Sequence, residues 1–155
     1  MSRPTKCRRV DSFPGVNYFK PAGIPLRVLE EICLTIEEVE AIRLKDMEGL
    51  EQEQGAERMH VSRPTFQRIL TSARRKIADA ILNGKAMRIE GGNYEISPRR
   101  FRCINGDEWD MPYAKAISEP PMSCPVCATT EINPLQPLGK GCLRPGNVRC
   151  CQKKS

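Results

Sequence analysis

Leu50-Glu-Gln-Glu-Gln-Gly-Ala-Glu-Arg-Met-His-Val-Ser-Arg-Pro-Thr-Phe-Gln-Arg-Ile-Leu70 is the stretch whose reading decides the fold. Its pattern predicts two helices joined by a tight turn, a helix-turn-helix. The first helix runs from about Leu50 to Met59 and turns Ala56 and Met59 inward. His60 and Val61 make the turn, with Val61 as an apolar plug between the helices. Ser62 stands where an N-cap is wanted, its hydroxyl able to accept a backbone N–H of the next turn. Pro64 follows at the second helical position, where its missing N–H leaves no bond unmade. Phe66, Ile69, Leu70 and Ala73 then recur at spacings of three and four, the apolar stripe of a helix packed on one side. Arg63, Thr65, Gln67, Arg68 and Thr71 are left to project outward.

Those outward residues have major-groove chemistry. Arg can bond both acceptors of guanine, Gln both edges of adenine, and Thr a base or a thymine methyl. A pair of amphipathic helices also occurs in proteins that never touch DNA, so the surrounding charge has to weigh in. The chain of 155 residues has 25 Lys and Arg against 19 Asp and Glu, for a net charge of +6. Residues 30–57 carry ten acids and two bases, whereas residues 58–88 carry eight bases and one acid, Asp79. That division favours a positive face on the second helix, suited to phosphate. Arg58, Arg74, Arg75 and Lys76 are the expected phosphate contacts; the alternative is a merely solvated face.

Upstream, residues 1–12 read as a mobile basic arm with Arg3, Lys6, Arg8 and Arg9, placed to lie along phosphates or to act as a solubilising tail. Phe13 to Pro25 hold too many Pro and Gly for a helix and predict an irregular lid. Leu26 to Cys33 predict a short helix or strand, with Cys33 as a small buried hydrophobe. Thr35-Ile-Glu-Glu38 is a capping-box pattern opening a helix over about 35–48. Downstream, the helix begun at Ser62 runs to Asn83-Gly84, with Ile77, Ala80 and Ile81 extending its apolar stripe. Ala86 to Ser97 read as a β-hairpin around Gly91-Gly92-Asn93.

From Phe19 to Tyr94 the sequence resembles an uncharacterised family of small prokaryotic proteins described as predicted DNA-binding. The matching motifs are Phe19-Lys-Pro-Ala-Gly-Ile-Pro25, Glu38-Val-Glu-Ala-Ile-Arg-Leu-Lys-Asp-Met-Glu-Gly-Leu50, Met59-His-Val-Ser-Arg-Pro-Thr-Phe-Gln-Arg68 and Gly84-Lys-Ala-Met-Arg-Ile-Glu-Gly-Gly92. The helical part looks like region 4 of sigma-70-type factors, which reads promoter −35 elements. The resemblance implies a DNA-binding fold with Ser62 to Arg68 opening the reading helix. It implies no target sequence, and nothing resembling a promoter-melting region accompanies it.

Beyond Pro98 the composition shifts towards cysteine. Cys124-Pro-Val-Cys127 is a zinc-knuckle signature, two thiolates two residues apart with Pro shaping the turn. Upstream, Cys103 lacks a partner at the usual spacing, since Gly106 stands there. The ligand set Cys103, Cys124, Cys127 and Cys142 is therefore expected, Cys142 being drawn from a Gly- and Pro-rich loop. Either of the adjacent Cys150 and Cys151 could substitute for it. Alternatives are a ribbon without metal, held by Phe101, Trp109, Tyr113 and Ile117, and a redox or metal sensor whose thiolates modulate DNA affinity.

These readings converge on a mainly α protein. Residues 1–25 form an arm and lid, residues 26–97 a sigma-70 region 4-like helix-turn-helix domain with a terminal β-hairpin, and residues 98–155 a small zinc-ribbon-like β module and tail. The expected function is sequence-specific duplex DNA binding in transcriptional control. Alternatives are a protein-binding adaptor that engages RNA polymerase or another regulator, and a structured-RNA binder. One His, no paired carboxylates at catalytic spacing and no phosphate-cradling Gly loop argue against an enzyme. No apolar run approaches the roughly 20 residues of a membrane span, and the N-terminus lacks a secretory signal. A cytoplasmic protein with reduced or metal-bound cysteines is expected. Homodimerisation is left open, since no heptad seam is visible.

Overall fold

Thr35 and Glu38 cap one another's backbone and so fix where the first helix starts. In a computed structural model, which describes residues 6–135, Thr35 Oγ1 accepts from Glu38 N at 3.4 Å and Glu38 Oε2 accepts from Thr35 N at 2.9 Å. Helix α1, Ile36–Ile42, continues into a five-residue π-helical turn, Arg43–Met47. Helix α2, Gln52–Arg58, follows, and then the 21-residue α3, Arg63–Asn83. Ser62 caps α3, Pro64 stands in its first turn, and Gly84 ends it in the left-handed conformation at φ 63°.

Ala41, Leu44, Ala56, Met59, Phe66 and Leu70 form the core between these helices, with Ile42, Leu50, Val61 and Ile69 packed against it. Burial of each of the larger side chains contributes about 1.5–3 kcal/mol, so this cluster is what locks α3 against α1 and α2. The inward positions are those of the helical stripe. The stripe stops at Ala80, however, and Ile81 is 69% exposed, because the last turn of α3 runs past the core that its first turns cover.

The described residues hold several strands beside the helices. Around the helices lie β1, Arg8–Val10, β2, Tyr18–Phe19, β3, Glu31–Leu34, β4, Ala86–Ile89, and β5, Tyr94–Ile96. A single 3₁₀ turn, Leu26–Val28, precedes β3, so the segment from Leu26 to Cys33 is partly each of the two expected elements. Cys33 is exposed rather than buried, since pleating puts Leu34 on the covered face and its neighbour on the other.

The expected hairpin over 86–97 does not form. Strand β4 lies between β2, antiparallel, and β3, parallel, while β5 pairs with β1. Gly91 and Gly92, at φ 72° and 109°, lead the chain away from β4 instead of folding it back. Gly91 O accepts from Ile36 N at 3.1 Å, and Glu37 Oε2 occupies the space that a side chain at position 92 would need.

The N-terminal arm is likewise tied down from residue 8. Arg9 N donates to Met59 O at 2.9 Å, and Val10 and Asp11 are buried. Asp11 explains the docking: its carboxylate faces Arg58 at 3.4 Å and Arg43 at 3.9 Å, and its backbone N–H donates to Glu40 Oε1 at 3.1 Å.

A second compact unit begins at Ile96. It contains β6, Arg99–Cys103, β7, Glu108–Met111, helix α4, Tyr113–Ser118, and β8, Ile132–Pro134. Its sheet has the order β7-β6-β8, antiparallel throughout. Phe101 stacks on Trp109 with ring centroids 5.9 Å apart, and the Arg99 guanidinium lies 4.8 Å from the ring centre of the buried Tyr113.

Candidate functional site

The β6–β7 hairpin brings Cys103 to Asp107. Phe101 pairs with Trp109 and Arg102 with Glu108, so Cys103 and Asp107 stand opposite each other at the hairpin's end. Cys103 N donates to Asp107 O at 3.0 Å, and Gly106, at φ 93°, makes the turn between them. Period-two alternation puts both side chains on the face that holds Phe101 and Trp109. Arg100 and Arg102 point to the other face, where they pair with Asp110 and Glu108.

Cys124 and Cys127 arrive from the loop between α4 and β8. Cys124 N donates to Thr129 O at 2.8 Å and Ala128 N to Cys124 O at 3.0 Å, with Ala128 held at φ 57°. Val126 N also points at Cys124 Sγ, 3.4 Å away. The result is a cluster in which the ligand atoms of Cys103, Asp107, Cys124 and Cys127 all lie within 4.8 Å of one another.

The spacing fits a tetrahedral metal ion. Ligands about 2.0–2.3 Å from a zinc ion lie about 3.3–3.8 Å apart. Cys127 Sγ is 3.7 Å from Cys103 Sγ, and Asp107 Oδ2 is 3.4 Å from Cys103 Sγ and 3.8 Å from Cys124 Sγ. Bonds from the Thr129 backbone and the Asn105 side chain hold the Cys127 thiol below its usual pKa, while burial pushes that of Cys103 up. Three of the four expected ligands, Cys103, Cys124 and Cys127, thus meet. Cys142, Cys150 and Cys151 lie outside the described residues. Asp107 is the residue that sequence reasoning missed. Its signal was the Phe101–Trp109 pairing, which sets Cys103 opposite Asp107.

The second candidate is the outer edge of α3. Arg63, Gln67, Arg68 and Thr71 are exposed, and Pro64, Gln67, Arg68 and Thr71 line a shallow open depression. Thr65 is half-buried and engaged locally: its hydroxyl lies 2.9 Å from Ser62 Oγ and accepts from Arg68 Nη2 at 3.3 Å. Arg63 Nε lies 3.1 Å from Glu53 across the turn, an exposed pair of little stabilising worth.

Three of the four expected phosphate contacts are paired within the molecule. Arg58 faces Asp11 at 3.4 Å, Arg74 faces Asp46, and Lys76 Nζ lies 2.8 Å from Glu38 Oε2. Acids and bases that are separate in sequence meet in space, because α1 and its π turn pack alongside α3. Among the described residues, Arg68 and Arg75 are in no ion pair. His60, at φ 54° in the turn, has its Nε2 3.4 Å from Arg9 Nη1 and takes no part in the cysteine cluster.

The chain therefore joins a three-helix unit with an exposed polar helix edge to a small β unit with a thiolate and carboxylate cluster. It belongs to the family described as "Protein of unknown function DUF134", whose model matches residues 1–97. Among its relatives, a "UPF0251 protein" of Desulforudis audaxviator is 57% identical over 133 residues, 85% of either chain. One of Moorella thermoacetica is 53% identical over 151 residues, 97% of this chain and 93% of the relative. UPF0251 protein TTE1845 of Caldanaerobacter subterraneus is 69% identical over 106 residues, 68% of this chain and 90% of the relative. No solved structure matches. Among the described residues, no helix is long and apolar enough to cross a membrane.

Proposed function

We propose that the segment from α2 to α3 works as a helix-turn-helix similar to region 4 of sigma-70-type factors. It reads duplex DNA in sequence-specific transcriptional control. Arg63, Gln67 and Arg68, with Thr65 and Thr71 beside them, meet base edges, and Arg75 holds phosphate. The observation that carries this reading is the exposed row Arg63, Gln67, Arg68 and Thr71 on a helix whose opposite side, Phe66, Leu70 and Ala73, is fixed in the core. Such anchoring gives polar side chains a rigid platform, which base readout needs.

The test is selection of duplex DNA from a random pool with the wild-type protein and an Arg63→Ala/Arg68→Ala variant. A sharp motif that blurs in the variant supports the reading. Absence of enrichment above a salt-sensitive background overturns it. The internal pairing of Arg58, Arg74 and Lys76 favours a second reading, an adaptor that binds RNA polymerase or another regulator. In that case a stable protein complex forms and DNA retention does not depend on sequence.

The small β unit is proposed to be stapled by zinc on the thiolates of Cys103, Cys124 and Cys127. Its buried apolar set is limited to residues such as Phe101, Tyr113 and Ala116, too little for a module of about 40 residues without a metal or disulfide. Zinc content of the full-length protein and its loss in a Cys124→Ser variant test the assignment.

A further inference from the structure

We infer that Asp107 completes the metal shell, making a three-thiolate, one-carboxylate site. The inference rests on the zinc reading above and concerns which atom closes it. Asp107 Oδ2 stands 3.4 Å from Cys103 Sγ and 3.8 Å from Cys124 Sγ, separations that suit a shared tetrahedral ion. Its charge is the second argument. The other two acids of this hairpin each have a cation, Glu108 paired with Arg102 and Asp110 with Arg100. Asp107, half-buried among three thiol groups, is in no ion pair among the described residues. Metal binding deprotonates the three thiols, of which Cys103 and Cys124 now donate towards this carboxylate, and a dication then sits between four converging anionic donors.

The chemical consequence is a mixed donor set. Three soft sulfurs and one hard oxygen suit Zn²⁺ or Co²⁺ and are a poor match for Cu⁺, which prefers sulfur alone. The oxygen is also the weaker partner for zinc, so one corner of the shell exchanges more readily than the others.

The experiment uses full-length protein with its zinc replaced by Co²⁺, whose thiolate charge-transfer absorption reports the number of sulfur ligands. Cys142→Ser is expected to keep both the wild-type spectrum and the wild-type affinity. Asp107→Ala should keep three-thiolate absorption but bind at least about tenfold more weakly. Asp107→Cys should raise the charge-transfer intensity by about a third, in step with the thiolate count. Loss of one thiolate's absorption in Cys142→Ser, or a four-thiolate spectrum in the wild type, would overturn the Asp107 assignment and leave zinc in place. Failure of the wild-type chain to retain either Zn²⁺ or Co²⁺ would overturn both.

Discussion

Arg74 forks onto Asp46, Nε at 3.2 Å from Oδ2 and Nη2 at 2.5 Å from Oδ1, so this cation on the middle of α3 is paired within the molecule. The same guanidinium holds the Asp46 carboxyl below the ordinary range. This pair, like that of Lys76 with Glu38, lowers the charge that α3 offers to solvent. On the proposed DNA-binding reading, Asp46→Asn should release Arg74 to phosphate and steepen the dependence of log affinity on log salt by about 0.9. Arg74→Ala should leave DNA affinity nearly unchanged. Salt titrations of binding to one duplex, for the wild type and both variants, check this.

A different outcome is expected at the helix's leading edge. On the proposed DNA-binding reading, Arg68→Ala removes a guanidinium that is in no ion pair among the described residues and should cost about 1–3 kcal/mol of specific binding while relaxing preference at one base position. Competition between the selected duplex and single-base variants of it measures that loss.

Gly55 lies under the Phe66 ring. A Cβ at position 55 would come 2.5 Å from Cζ and 2.8 Å from Cε2, in a ring fully buried between α2 and α3. Gly55→Ala should therefore destabilise by about 1–3 kcal/mol through overpacking, although alanine is the better helix former. Denaturant unfolding of the full chain reads the change as a lower midpoint.

Glu38 couples acid pH to the docking of α1 on α3. Burial works against its charge, but Lys76, Ser72 and the Thr35 backbone N–H outweigh that and hold its pKa below the ordinary value. A carboxylate depressed in the folded state adds stability above its unfolded pKa, and that stability is lost as pH falls through the folded pKa. The wild type should thus lose stability below about pH 4.5, and Glu38→Gln, already destabilised at pH 7, should lose less over the same interval. Paired pH titrations of the unfolding midpoint distinguish the two.

His60 holds a left-handed conformation that a side chain disfavours, at φ 54° between α2 and α3. Replacement by glycine removes a cost of about 1–2 kcal/mol, part of which is offset by glycine's greater freedom in the unfolded chain. His60→Gly is expected to raise the melting temperature slightly, which a thermal unfolding scan of the two proteins checks.

The three helices were legible because their signals are local: the Thr35 and Ser62 caps, the Gly84 stop, and the apolar spacing from Phe66 to Ala73. Pairing of strands was not. Nothing near Gly91 and Gly92 reveals that β5 joins a strand some 85 residues upstream, and the turn itself imitates a hairpin. The ion pairs failed for a related reason. Asp46 and Arg74, or Glu38 and Lys76, are 28 and 38 residues apart, and only helix packing brings them together. Of the cluster, the Cys124–Cys127 knuckle was plain from spacing, whereas Asp107 became a candidate only through the register of the hairpin.

The union of β1 with β5 bears on how this protein can be made. Strand β1 is synthesised well before its partner, which follows only after α3 and β4. Parallel pairing of β3 with β4 imposes the same delay, since all three helices lie between them. A nascent chain must therefore carry β1 without its strand partner until Tyr94 to Ile96 have been made, although Arg43 and Arg58, which face Asp11, come earlier. Such non-local closure slows folding. Fragments cut before residue 96 leave that strand open as an edge for other chains to join.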